Sequence, residues 1–202
     1  MAYLAYTDLK VYLDIAVAVT ADDTLLTTLI AAAQKMIDDE CHQTFEAAAD
    51  STRYFYANSV DYGGHVDGRD LVLDAPLCQI TSVTNGDGVL VAASSYITEP
   101  RNETPYYALR LKNSSNLFWT YDDDVETDTI AVVGRWAYSV TAPVTIVQAT
   151  KRLAMYLYRQ RDNALDLDRT VITAGQTILP SRIPRDIRDI LENGYVRTET
   201  TG

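Results

Sequence analysis

The densest set of chemically capable side chains is Asp122-Asp123-Asp124-Val125-Glu126-Thr127-Asp128, five carboxylates in seven residues. Hard cations such as calcium are held by several carboxylate oxygens close together, so a metal site is one reading of this run. It lacks the glycine and the terminal Glu that an EF-hand loop requires. A solvated hairpin loop therefore accounts for it better. His42 and His65 stand alone, without the H-x-E, HExxH or H-x3-H spacing that would make ligands or a general base of them. Cys41 and Cys78 are far apart and have no CxxC partner, which points to buried thiols rather than zinc or a disulfide framework. No G-x-S-x-G occurs, and Ser94, Ser95 and Ser139 have no histidine nearby in sequence. Tyr62-Gly63-Gly64-His65 does not open a helix after a strand, so no phosphate cradle is indicated. The expectation is a protein that is not an enzyme, with no catalytic residues, metal or cofactor.

Composition narrows the classes further. The chain has 202 residues and is 47% hydrophobic and 22% charged, enough to bury a core. Its net charge of -11 is unevenly spread. Residues 1–50 hold two basic against nine acidic side chains, 51–140 six against twelve, and 141–202 nine against seven. An acidic body of this kind is repelled by phosphate backbone, because affinity for nucleic acid comes chiefly from Lys and Arg. No apolar run approaches the roughly 20 residues of a membrane span. The opening Met1 to Asp8 lacks the basic and apolar regions of a secretory signal, so use inside a cell is expected. Tyrosine supplies 14 of the 19 aromatic residues. That suits surfaces which become buried on assembly.

The elements that would position these residues follow from periodicity. Thr7 to Leu13 predicts a short helix, and Thr20-Ala21-Asp22-Asp23 reads as an N-cap with an acid three positions on. Leu25, Leu26, Leu29, Ile30, Ala33, Ile37 and Cys41 then predict an amphipathic helix over about 22–43, whose Ala31-Ala32-Ala33 stretch permits close packing on another helix or subunit. From Ser51 to Tyr138 the period drops to two. Strands are predicted around 53–56, 70–73, 80–83, 106–111 and 129–133, with a hairpin at Asn85-Gly86-Asp87-Gly88. Pro143 starts a second long helix through about Arg161, with Ile146, Ala149, Leu153 and Leu157 on one stripe. Pro180 and Pro184 bracket a connection, and Pro184 begins a short helix ending near Gly194. The remainder after Asp162 offers little to form a core alone, so it is expected to be ordered only by docking. The predicted class is α+β, with a helical frame (1–50 and 139–165), an inserted antiparallel β module (51–138) and an extended C-terminal arm (166–202).

The order of these elements resembles head-tail connector (adaptor, head-completion) proteins of tailed bacteriophages. The resemblance rests on Tyr6-Thr7-Asp8-Leu9-Lys10, Asp22 to Ala33 and Thr44-Phe45 at the start, and on Val133-Gly134-Arg135-Trp136-Ala137-Tyr138 through Pro143, Leu153, Leu157 and Arg161 later. The ending Leu179-Pro180-Ser181-Arg182-Ile183-Pro184 to Ile190-Leu191 and Gly194-Tyr195 fits as well. It covers roughly the first 45 and last 70 residues.

The resemblance implies a dodecameric ring under the portal, in the virion neck and assembled in the host cytoplasm. The C-terminal segment would insert into the portal, and the opposite face would receive a stopper or tail-terminator protein. In that scheme Arg182, Arg185, Arg188 and Arg197 supply charge complementarity to the portal, while Ile187, Ile190, Leu191 and Tyr195 are buried anchors. Leu26, Ile30, Ala33, Ile37, Leu153 and Leu157 pack subunit against subunit. DNA passes without specific binding along an acidic wall, and no membrane is involved. Two rivals stand beside it. One is a virion or surface β module that binds carbohydrate or protein, with sugars held through Tyr and Trp119 or Trp136. The other is a metal-dependent hydrolase using Asp122 to Asp128.

Overall fold

A computed structural model describes residues 2–57, 65–120, 129–160 and 183–197, with the backbone alone of 171–173 and 176–178. Its helices and antiparallel sheets make the α+β class expected from the sequence. The chain divides into two compact units, one spanning Gln43–Thr141 and the other formed by Ala2–His42 together with Ala142–Gly202.

The helical unit contains α1 (Tyr6–Tyr12), α2 (Asp23–Cys41), α3 (Val144–Gln160) and α4 (Arg185–Glu192). Helix α2 buries Leu26, Ile30, Ala33, Ile37 and Cys41, steps of three and four residues that keep one stripe facing the neighbouring helices. Helix α3 returns Ile146, Ala149, Leu153 and Ala154 to the same core. Each fully buried Leu or Ile there contributes about 1.5–3 kcal/mol before entropy is charged against it. The N-cap position of α2 is Asp22, but its carboxylate makes no capping bond and instead accepts the Tyr158 hydroxyl at 2.8 Å, which ties the end of α3 to the start of α2. The expected cap at Thr20 is therefore corrected by two residues. At the other end His42 adopts the left-handed conformation (φ 54°) that closes the helix through its N–H to the Asp38 carbonyl.

Helix α4 changes the picture of the tail. Ile187 and Leu191 lie four apart on one face and are buried, as is Ile183 just before them. The helix packs on α2 and α3. Arg188 Nε stands 3.3 Å from Glu40 Oε1, the Arg152 and Asp186 side chains are paired, and the Arg197 N–H donates to the Cys41 carbonyl at 3.1 Å. Residues 183–197 thus have a core to join in their own chain. The sequence reading missed it because a helix of about two turns with three apolar residues looks unsupported until the groove between α2 and α3 exists. Pro184 sits one position earlier than expected, at the N-cap.

The β unit is two sheets over one core. One has order β1-β7-β4, from Ser51–Phe55, Ile130–Arg135 and Gln79–Thr84. The other has order β2-β3-β6-β5, from Val66–Asp67, Asp70–Leu77, Tyr106–Leu111 and Tyr96–Glu99. A two-stranded hairpin of β8 (Val171–Thr173) and β9 (Gln176–Ile178) belongs to the later part of the chain. Alternation sends Phe55, Ile130, Val132 and Val83 from the first sheet and Leu71, Leu73, Leu109 and Leu111 from the second into a shared apolar cluster. The unit begins and ends on a stem, where Tyr138 N–H donates to the Thr44 carbonyl at 2.8 Å and Glu46 bridges Ser139 in parallel. Gly134 on β7 is required by close approach, because a Cβ there would overlap the Gln79 carbonyl oxygen of β4. The Asn85 turn forms as expected, with Gly88 N–H bonded to the Asn85 carbonyl, yet Val89 to Val91 makes only a single bridge rather than a strand. Strand β5 was not expected, since Tyr96-Ile97-Thr98-Glu99 is too short to show a period.

Candidate assembly surfaces

The residues singled out for chemistry separate cleanly. Cys41 and Cys78 are buried free thiols, and burial pushes Cys41 up to about 12 and raises Cys78, so neither is a nucleophile at neutral pH. His65 stacks edge-on to Phe55 at 5.1 Å and His42 is a helix cap. No group of three His, Cys, Asp or Glu side chains among the described residues is placed to hold a metal ion. Asp122 to Asp128, and Arg182, lie outside the described residues. Trp119 and Trp136 are both buried in the β core, with their indole N–H groups donating to the Arg69 and Ser51 carbonyls at 2.9 and 3.0 Å. The expectation that either indole offers a face to a sugar is corrected, because both rings are used inside the sandwich.

The positions expected at interfaces fall into two groups. Leu26, Ile30, Ala33, Ile37 and Leu153 are buried within the helical unit, and Leu157 is half-buried. In the tail, Ile187 and Leu191 are buried in the same core, and Ile190, Tyr195, Arg188 and Arg197 are half-buried. Arg185 is exposed and has no partner among the described residues. The amphipathic stripes thus find partners within the chain, and the surfaces left for other molecules lie elsewhere.

Two of these surfaces have a built support that sequence reasoning missed. Lys10 is fully buried and holds the loop between α1 and α2: its ammonium donates to the Val17 and Val19 carbonyls at 3.2 and 2.7 Å and pairs with Asp23. A buried cation is retained only where such partners repay its desolvation. Around it Val11, Tyr12, Val17 and Val19 are exposed, Val11 at 71%. In the β unit, buried Asn85 donates through Nδ2 to the Phe118 carbonyl and Thr120 Oγ1, both at 2.9 Å, and accepts from Thr120 N–H at 3.1 Å. That staples the turn carrying exposed Val89 and Leu90 to the segment carrying exposed Phe118, over which Arg69 lies at 4.7 Å. Tyr54 on β1, an edge strand, and Tyr56 just after it are also exposed. A single Lys in a run of apolar residues carries no sequence mark of burial, and an Asn in a turn motif reads as turn chemistry alone.

Among the described residues no helix is long and apolar enough to cross a membrane. No protein-family model matches the chain, and no curated protein matches it in sequence. Solved structures do. A chain in the neck of an empty gene transfer agent particle, determined with C6 symmetry, matches with a TM-score of 0.61 at 14% identity, over 99% of this chain and 93% of that one. One in the neck of the native particle with C12 symmetry gives 0.59 at 13% identity, over 99% and 92%. One in the native virion gives 0.56 at 16%, over 99% and 93%. The chain therefore has, along nearly its whole length, the fold of chains found in the necks and virions of gene transfer agent particles.

Proposed function

We propose that the chain is a structural adaptor of the neck of a tailed, phage-like particle, without catalytic activity. Copies form a ring that joins the portal of the DNA-filled head to the tail or stopper and continues the DNA channel. The observation that carries this reading is the length-wide likeness to neck chains, which takes in both the helical and the β unit. The C6 and C12 symmetries of those necks support a closed ring of six or twelve copies here. In such a ring each surface meets a different surface of its neighbour, so exposed apolar patches of unlike shape are what the protomer needs. The net charge of -11 supports a channel wall that repels DNA rather than gripping it. The C-terminal residues, with exposed Arg185, are the proposed portal contact, and a stopper or tail-terminator protein is the proposed partner on the opposite face.

The test is mass and geometry in solution. Light scattering and electron microscopy of the full chain, alone and mixed with portal rings of the same particle, should show a ring, either free or templated on the portal. A chain that stays monomeric and co-sediments with neither portal nor neck particles would overturn the reading.

A further inference from the structure

The edges of a sheet can accept another strand, because their outward backbone groups have no ladder partner of their own. Parts of three edges of this sandwich are covered from within. At one corner His65 N–H, next to β2, donates to the Tyr56 carbonyl just after β1, 3.3 Å away. Along β4 the chain turns back on itself, with Asn85 N–H bonded to the Val89 carbonyl at 2.9 Å and Val91 N–H to the Val83 carbonyl at 2.8 Å. Strand β5 differs: it pairs with β6 on one side, and among the described residues nothing pairs with its other side.

Hydrogen bonding fixes which groups β5 turns outward. Lys112 N–H bonds to the Ser95 carbonyl at 2.9 Å across β5–β6, whereas Leu111 N–H bonds to the Arg69 carbonyl on the β3 side. In an antiparallel ladder these directions alternate, so the backbone groups of Ile97 and Glu99 face β6 while the N–H and C=O of Tyr96 and Thr98 face away from it. Pro100 follows directly and has no N–H to offer, so the open edge is short. It borders an open groove of about 480 Å³ lined by Ala93, Tyr96, Ile97, Thr98, Arg101 and Lys112.

None of those six side chains is acidic, and the groove holds the unit's uncompensated cations. Elsewhere Arg53 pairs with Asp74 at 2.9 Å, Arg110 makes two 2.6 Å bonds to Asp70, and Arg135 stands 3.5 Å from Asp50. Lys112 donates to the Ser94 carbonyl at 2.7 Å, a neutral partner that leaves its charge in place. Arg101 is exposed and, among the described residues, has no carboxylate, carbonyl or ring partner. Glu99 lies toward Arg110, 4.0 Å away. An open strand edge with two such cations beside Tyr96 and Ile97 selects an extended segment that carries carboxylates at alternate positions and β-branched residues between them. Phosphate backbone shares the negative sign but has no N–H groups for the outward carbonyls, and a chain of net charge -11 repels it. We infer that the Tyr96–Glu99 edge receives an acidic strand from another protein chain, its backbone bonded to Tyr96 and Thr98 and its carboxylates on Arg101 and Lys112. This goes beyond the adaptor reading and does not depend on a ring.

The probe is a labelled peptide of about eight residues alternating Glu with Val, titrated onto the full chain at low salt and followed by fluorescence anisotropy. Saturable binding is expected. Arg101→Glu should weaken it about tenfold or more, and so should a peptide with Gln in place of Glu, since each removes charge-assisted bonds. Thr98→Pro deletes an outward N–H and no bond of the β5–β6 ladder, so the tryptophan emission transition should stay in place while binding falls by a similar factor. Of two peptides N-methylated on alternate sets of amides, one should lose binding and the other keep it, a comparison that needs no protein variant. Equal binding by both reduces the contact to charge attraction and overturns strand addition. No saturable binding to the wild-type chain overturns the inference outright, and an oligonucleotide of equal charge that binds as tightly overturns the choice of a protein strand. A wild-type chain that binds the peptide yet forms no ring, alone or with portal, sinks the adaptor reading and supports this one.

Discussion

Replacing Lys10 with Met tests whether the α1–α2 loop is held by one buried cation. Methionine keeps the length and much of the volume of the side chain and removes only its charge and donors. The ammonium makes two bonds to carbonyls and one ion pair, and its side chain is completely buried, while Asp23 is 25% exposed. Removing one member of a buried pair costs about 3–5 kcal/mol, and charge-assisted bonds contribute about 1.5–3 kcal/mol each. Water can reach Asp23 and the loop carbonyls, so the lower bound applies, and a loss of about 3 kcal/mol is expected. On a unit of this size that lowers the thermal midpoint by roughly 10 °C or more. The two units can be followed separately, because both tryptophans, Trp119 and Trp136, belong to the β unit and the four α-helices belong to the helical unit. Circular dichroism at the helical band should therefore show the shift, while the tryptophan emission transition should not. Adding Asp23→Asn to the variant removes the stranded carboxylate and should recover part of the loss. A helical unit that loses less than about 1 kcal/mol of stability, or a double variant no better than the single, would refute the reasoning.

Three further outcomes follow from the geometry. Gly134→Ala should destabilise the β unit by about 2–4 kcal/mol, read in the tryptophan transition, since the new methyl meets the β4 backbone rather than a movable side chain. Asp38 is held at about 6, chiefly by burial and against the lowering effect of the Tyr3 hydroxyl 2.7 Å away. The native state therefore keeps a proton that the unfolded chain releases from about pH 4 upward, so the helical unit should lose stability as pH rises through 6. Discounted for partial exposure, this is about 1 kcal/mol, and it should vanish in Asp38→Asn, which can still accept the Tyr3 bond. Ile187→Asp should cost several kcal/mol of helical stability because that side chain is buried in its own unit, whereas Arg185→Ala should leave stability within about 0.5 kcal/mol and weaken attachment to portal rings. An Arg185→Ala chain that joins portals normally would remove that residue from the proposed contact.

Periodicity carried the long helices because their stripes are long: Leu26 to Cys41 gives five buried positions at helical spacing, and Ile146 to Leu153 repeats the pattern. It carried the central strands of the sandwich for the same reason, since β6 and β7 alternate over six residues. It failed where structure depends on something already folded. Strand β5 exists because β6 offers it a ladder, and α4 is buried because α2 and α3 leave it a groove. Burial of Lys10 and Asn85 was illegible for another reason. Each is polar by type, and only the folded chain shows the carbonyls and carboxylate that let it stay inside. The surfaces suited to other molecules were likewise read one layer too deep. Hydrophobic stripes announce an interface without saying whether the partner is the same chain or another, and here the strongest stripes are satisfied within the fold.

The tied stem of the β unit also bears on the order of folding. Helices α2 and α3 are neighbours in the helical core, yet the unit between them, Gln43–Thr141, is 99 residues long. While that stretch is unfolded, bringing α2 and α3 together closes a long loop. Once the Thr44–Tyr138 and Glu46–Ser139 bonds have formed, the loop that remains is only the few residues flanking the stem. The difference in closure entropy is about 2 kcal/mol. The sandwich thus acts as a clasp: when it forms first, a distant helix pair becomes a local one, and the helical unit can assemble at the speed of a short hairpin of helices.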